Sequence, residues 1–176
     1  MSASACANSQ ACLRASRRST SAWFAHLDGH GVIAHVAVRG PTYTGSLTGG
    51  AKSLFRLPPN GPPLSRLVLA EAAIDALSVA AIESLRRGTL YAATGGGMGP
   101  GTIAALEALL ASMARLPGAL LCSAADDNGP GDRFADRHRS LGEQFRIPFT
   151  RLRAPIEGGD WNDVMRARSE AKGAKT

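Results

Sequence analysis

Two hydrophobic rhythms divide the chain. From Trp23 to Leu57, the short apolar runs WFAHL, VIAHVAV, TYTGSL and SLFRL are separated by DGHG, RGP and TGG. Runs of that length between glycine and proline punctuation are the pattern of strands joined by hairpin turns. Residues 23–64 are therefore expected to form a small β-rich section. Its end is LPPNGPP at 57–63, which can continue neither a helix nor a central strand and reads as a linker.

After the linker the rhythm becomes strand alternating with helix. RLVLA at 66–70 predicts a short buried strand, and IDALSVAAIESLRR a helix whose inward face is Ile74, Leu77, Ala81 and Leu85. LYAAT at 90–94 predicts a second strand, and TIAALEALLASMARL at 102–116 a second helix. GALLCSAA at 118–125 gives a third strand. DRFADRHRSLGEQF follows as a helix with Phe134, His138, Leu141 and Phe145 inward, and PFTRLR as a fourth strand. Strands alternating with helices of this length need crossover connections. The expectation is an α/β fold over 65–153, with a Rossmann-like, mostly parallel sheet and helices on both faces. Residues 154–176 make a tail with one short helix, WNDVMRARSEA.

Composition narrows this picture. With 176 residues, 44% of them hydrophobic, the chain can bury one main core. No apolar stretch approaches the roughly 18 uncharged residues of a spanning helix, so no membrane partner is expected. Cys6, Cys12 and Cys122 match no zinc spacing and read as reduced thiols of a cytoplasmic protein. Residues 1–22 are rich in Ala, Ser and Arg and lack the apolar core of a secretory signal. A disordered start or a truncated upstream domain is expected there, since an organellar transit peptide would require a eukaryotic source.

Charge is informative by position. Through residue 70, seven basic residues stand against the single acid Asp28, which accounts for the whole net charge of +6. Arginine supplies 17 of the 20 cations, and its planar fork suits phosphate, although a GC-rich genome gives the same bias. A basic front section on a neutral body suggests a polyanionic partner, DNA or RNA, with Arg39, Lys52 and Arg56 as contacts.

The candidate chemistry lies where apolar strands end in acids. In an open parallel sheet, ligands bind beyond the carboxyl ends of the strands, where loops and helix N-termini converge. Glu71 follows the first strand, Gly95, Gly96 and Gly97 follow the second, and Asp126 and Asp127 follow the third. One acid at such a place is commonly a helix cap. Three coincident features instead suit a hard divalent cation and proton movement at a phosphate.

At these residues the sequence resembles the Toprim family of primases, topoisomerases and nucleases. LVLAEAAIDALS offers Glu71 and Asp75 for the family's first motif, and AADDNGPGDRFADR offers Asp126, Asn128 and Gly131 for its second. The resemblance implies Glu71 as general acid or base, Asp126 as principal ligand of Mg²⁺ or Mn²⁺, and supporting places for Asp75 and Gly131. Two departures matter: Ala72 replaces the usual glycine, and Asn128 stands where a second aspartate belongs. A neutral amide is a weaker magnesium ligand, Asp127 could replace it only in a reshaped loop, and a one-metal or weakened site is expected.

The flanks point to one branch. HVAVRGPTYTGSLTGGAKSLFRL at 35–57 resembles a domain of unknown function that precedes Toprim domains in bacterial plasmid and mobile-element proteins, and GGDWND at 158–163 resembles the tail of primase-type members. The resemblance implies primase-like nucleotidyl transfer. The alternatives are a nuclease or nicking activity, or a non-catalytic nucleic-acid-binding module. A helicase, relaxase or zinc-ribbon partner is expected on a separate chain.

Other constellations carry less. TGGGMGPG at 94–101 fits neither G-x-G-x-x-G nor a phosphate-binding loop with its lysine, so its glycines read as a turn or a close approach to phosphate. His26, His30 and His35 read as ordinary strand or surface histidines. Asp160 and Asp163 either add outer ligands or cap the final helix.

Overall fold

The computed structural model describes residues 21–28 and 30–174, and the backbone of 13–15. The strands are β1 (Leu13–Ala15), β2 (Ala22–Leu27), β3 (Ile33–Arg39), β4 (Thr44–Ser46), β5 (Leu54–Leu57), β6 (Arg66–Ala70), β7 (Thr89–Ala93), β8 (Leu120–Ser123) and β9 (Phe149–Arg151). The helices are α1 (Ala73–Ile82), α2 (Pro100–Met113), α3 (Gly129–Gln144) and α4 (Trp161–Gly173). β1 falls within the segment expected to be disordered or truncated. The remainder of that expectation, with Cys6 and Cys12, lies outside the described residues, and Cys122 is a buried free thiol.

One nine-stranded sheet runs in the order β4-β3-β2-β5-β7-β6-β8-β9, with β1 also on β2. The expected α/β body is present: β7, β6, β8 and β9 are parallel. The front strands are antiparallel and continue the same sheet, because β5 pairs with β7 from Phe55 against Ala93 to Leu57 against Tyr91.

Alternation along the body strands builds two cores. Val68, Ala70, Tyr91, Ala93 and Cys122 face α1 and α4, meeting Ala76, Val79, Trp161 and Val164. Leu67, Leu69, Leu90, Ala92 and Leu121 face α2 and α3, meeting Leu106, Leu110 and Met113. Helices therefore cover both faces, as the strand–helix alternation predicts.

The first helix corrects half of its expected inward face, since Ile74 and Leu77 pack partly buried against the core. Its buried face carries Ala73, Ala76, Val79 and Ala80, while Ala81 and Leu85 are exposed. Small residues let α1 sit close between sheet and α4. It ends at Ile82 and not at Arg87, because Glu83 turns inward to Arg66 and the chain leaves through left-handed Ser84 and Leu85, each at φ 53°. Among the described residues no helix is long and apolar enough to cross a membrane.

Candidate active site

The carboxyl ends of β6, β7 and β8 open on a crevice of about 340 Å³. One side carries Glu71 after β6, Asp75 in the first turn of α1, Asp126 after β8 and Asp160 before α4. The floor is one face of β2–β4, with Phe24, Ala37 and Ser46 in one cross-strand row and Arg39 and Thr44 in the next.

The acids interact. Asp126 donates its backbone N–H to Glu71 Oε1 at 3.3 Å, tying two strand ends together. Burial, then the Asp126 charge, raises the Glu71 carboxyl above its ordinary range, against the pull of Arg151. Burial and Asp160 do the same to Asp126, again opposed by Arg151. Asp75 is pushed furthest, to about 7, by burial and then by Asp160 and Asp126, although the Asn162 N–H donates to it at 3.2 Å.

The loop after β8 is built to hold Asp126. Asn128 caps α3 by accepting the Gly131 N–H at 2.8 Å. A Cβ at Gly131 would overlap the Asp126 backbone carbonyl, so only glycine lets α3 start there. Arg151 donates to the Asp126 carbonyl at 2.8 Å and to Ser123 Oγ at 3.3 Å, and Ser123 pairs with His138 Nδ1 at 2.9 Å. Asp126 Oδ1 is left buried without a partner.

Around the crevice, Gly95 and Gly96 adopt φ of 68° and 71°. The Gly96 N–H donates to the Glu71 carbonyl at 3.0 Å, and Lys52 Nζ donates to the Gly95 carbonyl at 3.1 Å.

The fold thus brings Glu71, Asp75, Asp126, Asp160, Gly95, Gly96 and Arg39 together. Lys52 reaches the glycine turn, and Gly97 lies against its side chain. Other expected residues are engaged elsewhere. Asn128 spends its side-chain oxygen on the α3 cap, and Asp127 pairs with Arg153. Asp163 and Asp160 form a reciprocal capping box on α4, and half-buried Arg56 does not line the crevice. Sequence reasoning missed Thr44, Ser46 and Arg151, which bear no local signal, and passed over His26, which is fully buried and lines the crevice.

Among the described residues no three His, Cys, Asp or Glu side chains come close enough to hold a metal by themselves. Magnesium is commonly held by one or two carboxylates, with water and phosphate oxygens completing the shell. The unpartnered Asp126 Oδ1, amid carboxylates that repel it, is a hard oxygen whose charge a divalent cation would neutralise. The donor set fits Mg²⁺ or Mn²⁺.

The family described as Toprim-like matches residues 68–165. The chain belongs to the Toprim-like family. That match takes in every acid of the crevice, from Glu71 to Asp160. A family described as a protein of unknown function, DUF3991, matches residues 3–62, so the crevice floor of this Toprim-like protein comes from the upstream match. Among solved structures it is similar to the primase fragment of the bacteriophage T7 primase-helicase protein, at 16% identity and a TM-score of 0.56, over 91% of this chain and 63% of that chain. A second similar structure is a bacteriophage T7 lagging-strand DNA polymerase complex with primase domains, at 17% identity and a TM-score of 0.49, over 88% of this chain and 78% of that chain. These likenesses concern the fold. No curated protein matches the chain.

Proposed function

We propose that this Toprim-like protein acts on nucleic-acid phosphodiesters with Mg²⁺ or Mn²⁺, by primase-like nucleotidyl transfer in plasmid or mobile-element DNA processing. One observation carries the reading: a buried, unpartnered Asp126 oxygen among mutually repelling carboxylates, with Arg39 on the floor below them. The T7 primase fragment, similar in fold, supports synthesis over cleavage as first choice.

In this reading Asp126 holds the cation, with Glu71 or Asp160 beside it. The bound ion would supply charge neutralisation at the reacting phosphate. Glu71, its carboxyl raised by burial and by Asp126, takes or returns the proton of the attacking or leaving hydroxyl. Arg39 and Lys52 hold phosphates of the strand, Lys52 where Gly95–Gly97 lets a backbone come close, and Arg56 adds long-range positive charge. Arg151 keeps Asp126 in place through its carbonyl. A helicase, relaxase or zinc-ribbon protein would supply unwinding or template choice in trans.

Incorporation of labelled nucleotides on a single-stranded template, beside cleavage of labelled DNA, tests the reading. Synthesis that needs metal and falls by about 10²–10⁴-fold in Glu71→Gln supports it. Cleavage without synthesis would move the assignment to a nuclease. A non-catalytic binding module is the second reading, favoured by the engagement of Asn128 and Asp127 in cap and ion pair. Nucleic-acid binding unaffected by Glu71→Gln, with neither reaction detectable, would establish that module.

A further inference from the structure

His26 sits near the end of β2 with no exposed surface, in line with Phe55 and Ala93 across the sheet. Its Nδ1 lies 3.0 Å from the Ser53 carbonyl. A carbonyl only accepts, so Nδ1 carries the proton and Nε2 presents a lone pair. That Nε2 is buried without a partner. A position needing volume alone would be filled better by an apolar ring, such as Phe24 or Phe55 nearby, since an unpaired buried nitrogen costs stability. Local choices that weaken the fold concentrate at working positions.

The imidazole touches the glycine turn of the crevice. A Cβ on Gly95 would lie 2.8 Å from His26 Cε1, and Gly95 also has a positive φ, so the turn can approach the ring only as glycine. Lys52, next to Ser53, grips the Gly95 carbonyl, and the following Gly96 N–H donates to the Glu71 carbonyl. Two contacts therefore lead from His26 to the backbone of Glu71.

We propose that His26 is a positioning residue for Glu71, acting through the Gly95–Gly96 turn, so that the front strands are a working part of the site. This rests on the reading that Glu71 acts at a phosphodiester. The strands of the upstream family match, described only as of unknown function, then set the geometry of the Toprim-like acids.

The full-length chain with His26→Ala and His26→Asn tests it. Asparagine retains an N–H for the Ser53 carbonyl, and alanine does not. For metal-dependent synthesis or cleavage, His26→Ala should lower kcat by up to about 10²-fold, as small misplacements of catalytic groups do. KM should stay within about threefold, because no strand contact is removed. His26→Asn should recover most of kcat, a rescue that a merely space-filling role would not give. Hydrogen exchange at the Gly96 amide should quicken in His26→Ala, and in Lys52→Ala, an exposed change that spares the core. Full kcat in His26→Ala, a KM rise at constant kcat, or no rescue by asparagine would overturn the proposal. Should wild type and Glu71→Gln behave alike in both reactions, the phosphodiester reading itself fails. The Gly96 exchange then decides the His26 link alone, and unchanged exchange in both Lys52→Ala and His26→Ala overturns it.

Discussion

Strand β6 carries charge at both ends, and the protein treats the two ends in opposite ways. At its start, Arg66 is nearly buried and bonds Glu83 through two nitrogens at 2.6 and 2.9 Å, while the Tyr91 hydroxyl donates to Glu83 at 2.7 Å. Burial alone would raise the Glu83 carboxyl, yet the bonds from Arg66 and Tyr91 bring it below its ordinary range. At the other end Glu71 faces Asp126, Asp75 and Asp160, and each shifted carboxyl moves upward. The closed end has its charges matched and serves the fold. The open end keeps like charges together at a cost in stability, which is expected where a cation and a phosphate complete the set.

The contrast is most exposed to failure at the closed end. Glu83→Ala leaves Arg66 buried and unpaired and should cost ~3–5 kcal/mol by urea denaturation. A loss below ~1 kcal/mol, the range of exposed pairs, would mean that the start of β6 is no better satisfied than its end.

The open end should respond with the opposite sign. Asp75 prefers its proton in the folded state, at about 7, against 3.8 for an ordinary aspartate. Its favourable contribution is full below about 3.8 and is lost as pH rises through about 7. Asp75→Asn keeps an oxygen for the Asn162 N–H and should be more stable than wild type by ~1–2 kcal/mol at pH 8, with no difference near pH 4. The pairwise difference matters, because His138 works in reverse in both proteins. Burial holds its imidazole at about 4, below the ordinary 6.5, so its contribution is present above 6.5 and fades as pH falls toward 4.

Asp126→Asn probes the same end at its least satisfied oxygen. Without metal it should match or exceed wild type in stability, by up to ~1 kcal/mol, as relief of a functional site commonly does. Magnesium should raise the melting temperature of wild type and leave that of the variant unchanged. Equal magnesium shifts in the two proteins would place the cation away from Asp126.

This contrast was half legible in the sequence. Glu71 and Asp126 stand where strands end, and the strand–helix alternation alone puts those ends on one edge. The glycines after β7 were legible for the same reason. The Arg66–Glu83 pair was not, because the pattern of α1 runs on apolar residues to Leu85 and nothing local says that Glu83 leaves the helix. Nor was the crevice floor: Arg39, Thr44 and Ser46 reach the acids only because β5 joins the front strands to β7, a pairing between segments that sequence rhythm separates at LPPNGPP. Periodicity reports which side of an element is buried, and long-range pairing decides what that side meets.

The smallest expected effect bears on the residue that departs from the family pattern. Asn128 extends its amide oxygen to the Gly131 N–H and starts α3, a role that aspartate fills equally well. In Asn128→Asp the new charge gains from the helix N-terminus and loses from Asp126 and Asp127, so stability should stay within ~0.5 kcal/mol of wild type. A carboxylate held in the cap contributes little to a cation bound at Asp126, and Mn²⁺ affinity should change by less than about threefold, well under the ~1.4 kcal/mol of a tenfold step. A gain of tenfold or more, with loss of the α3 cap seen as faster exchange at the Gly131 amide, would show the side chain turning from the helix to the metal. The open end of β6 would then be tuned by the choice between amide and acid at one position, and the asparagine would be a weakened ligand and not simply a cap.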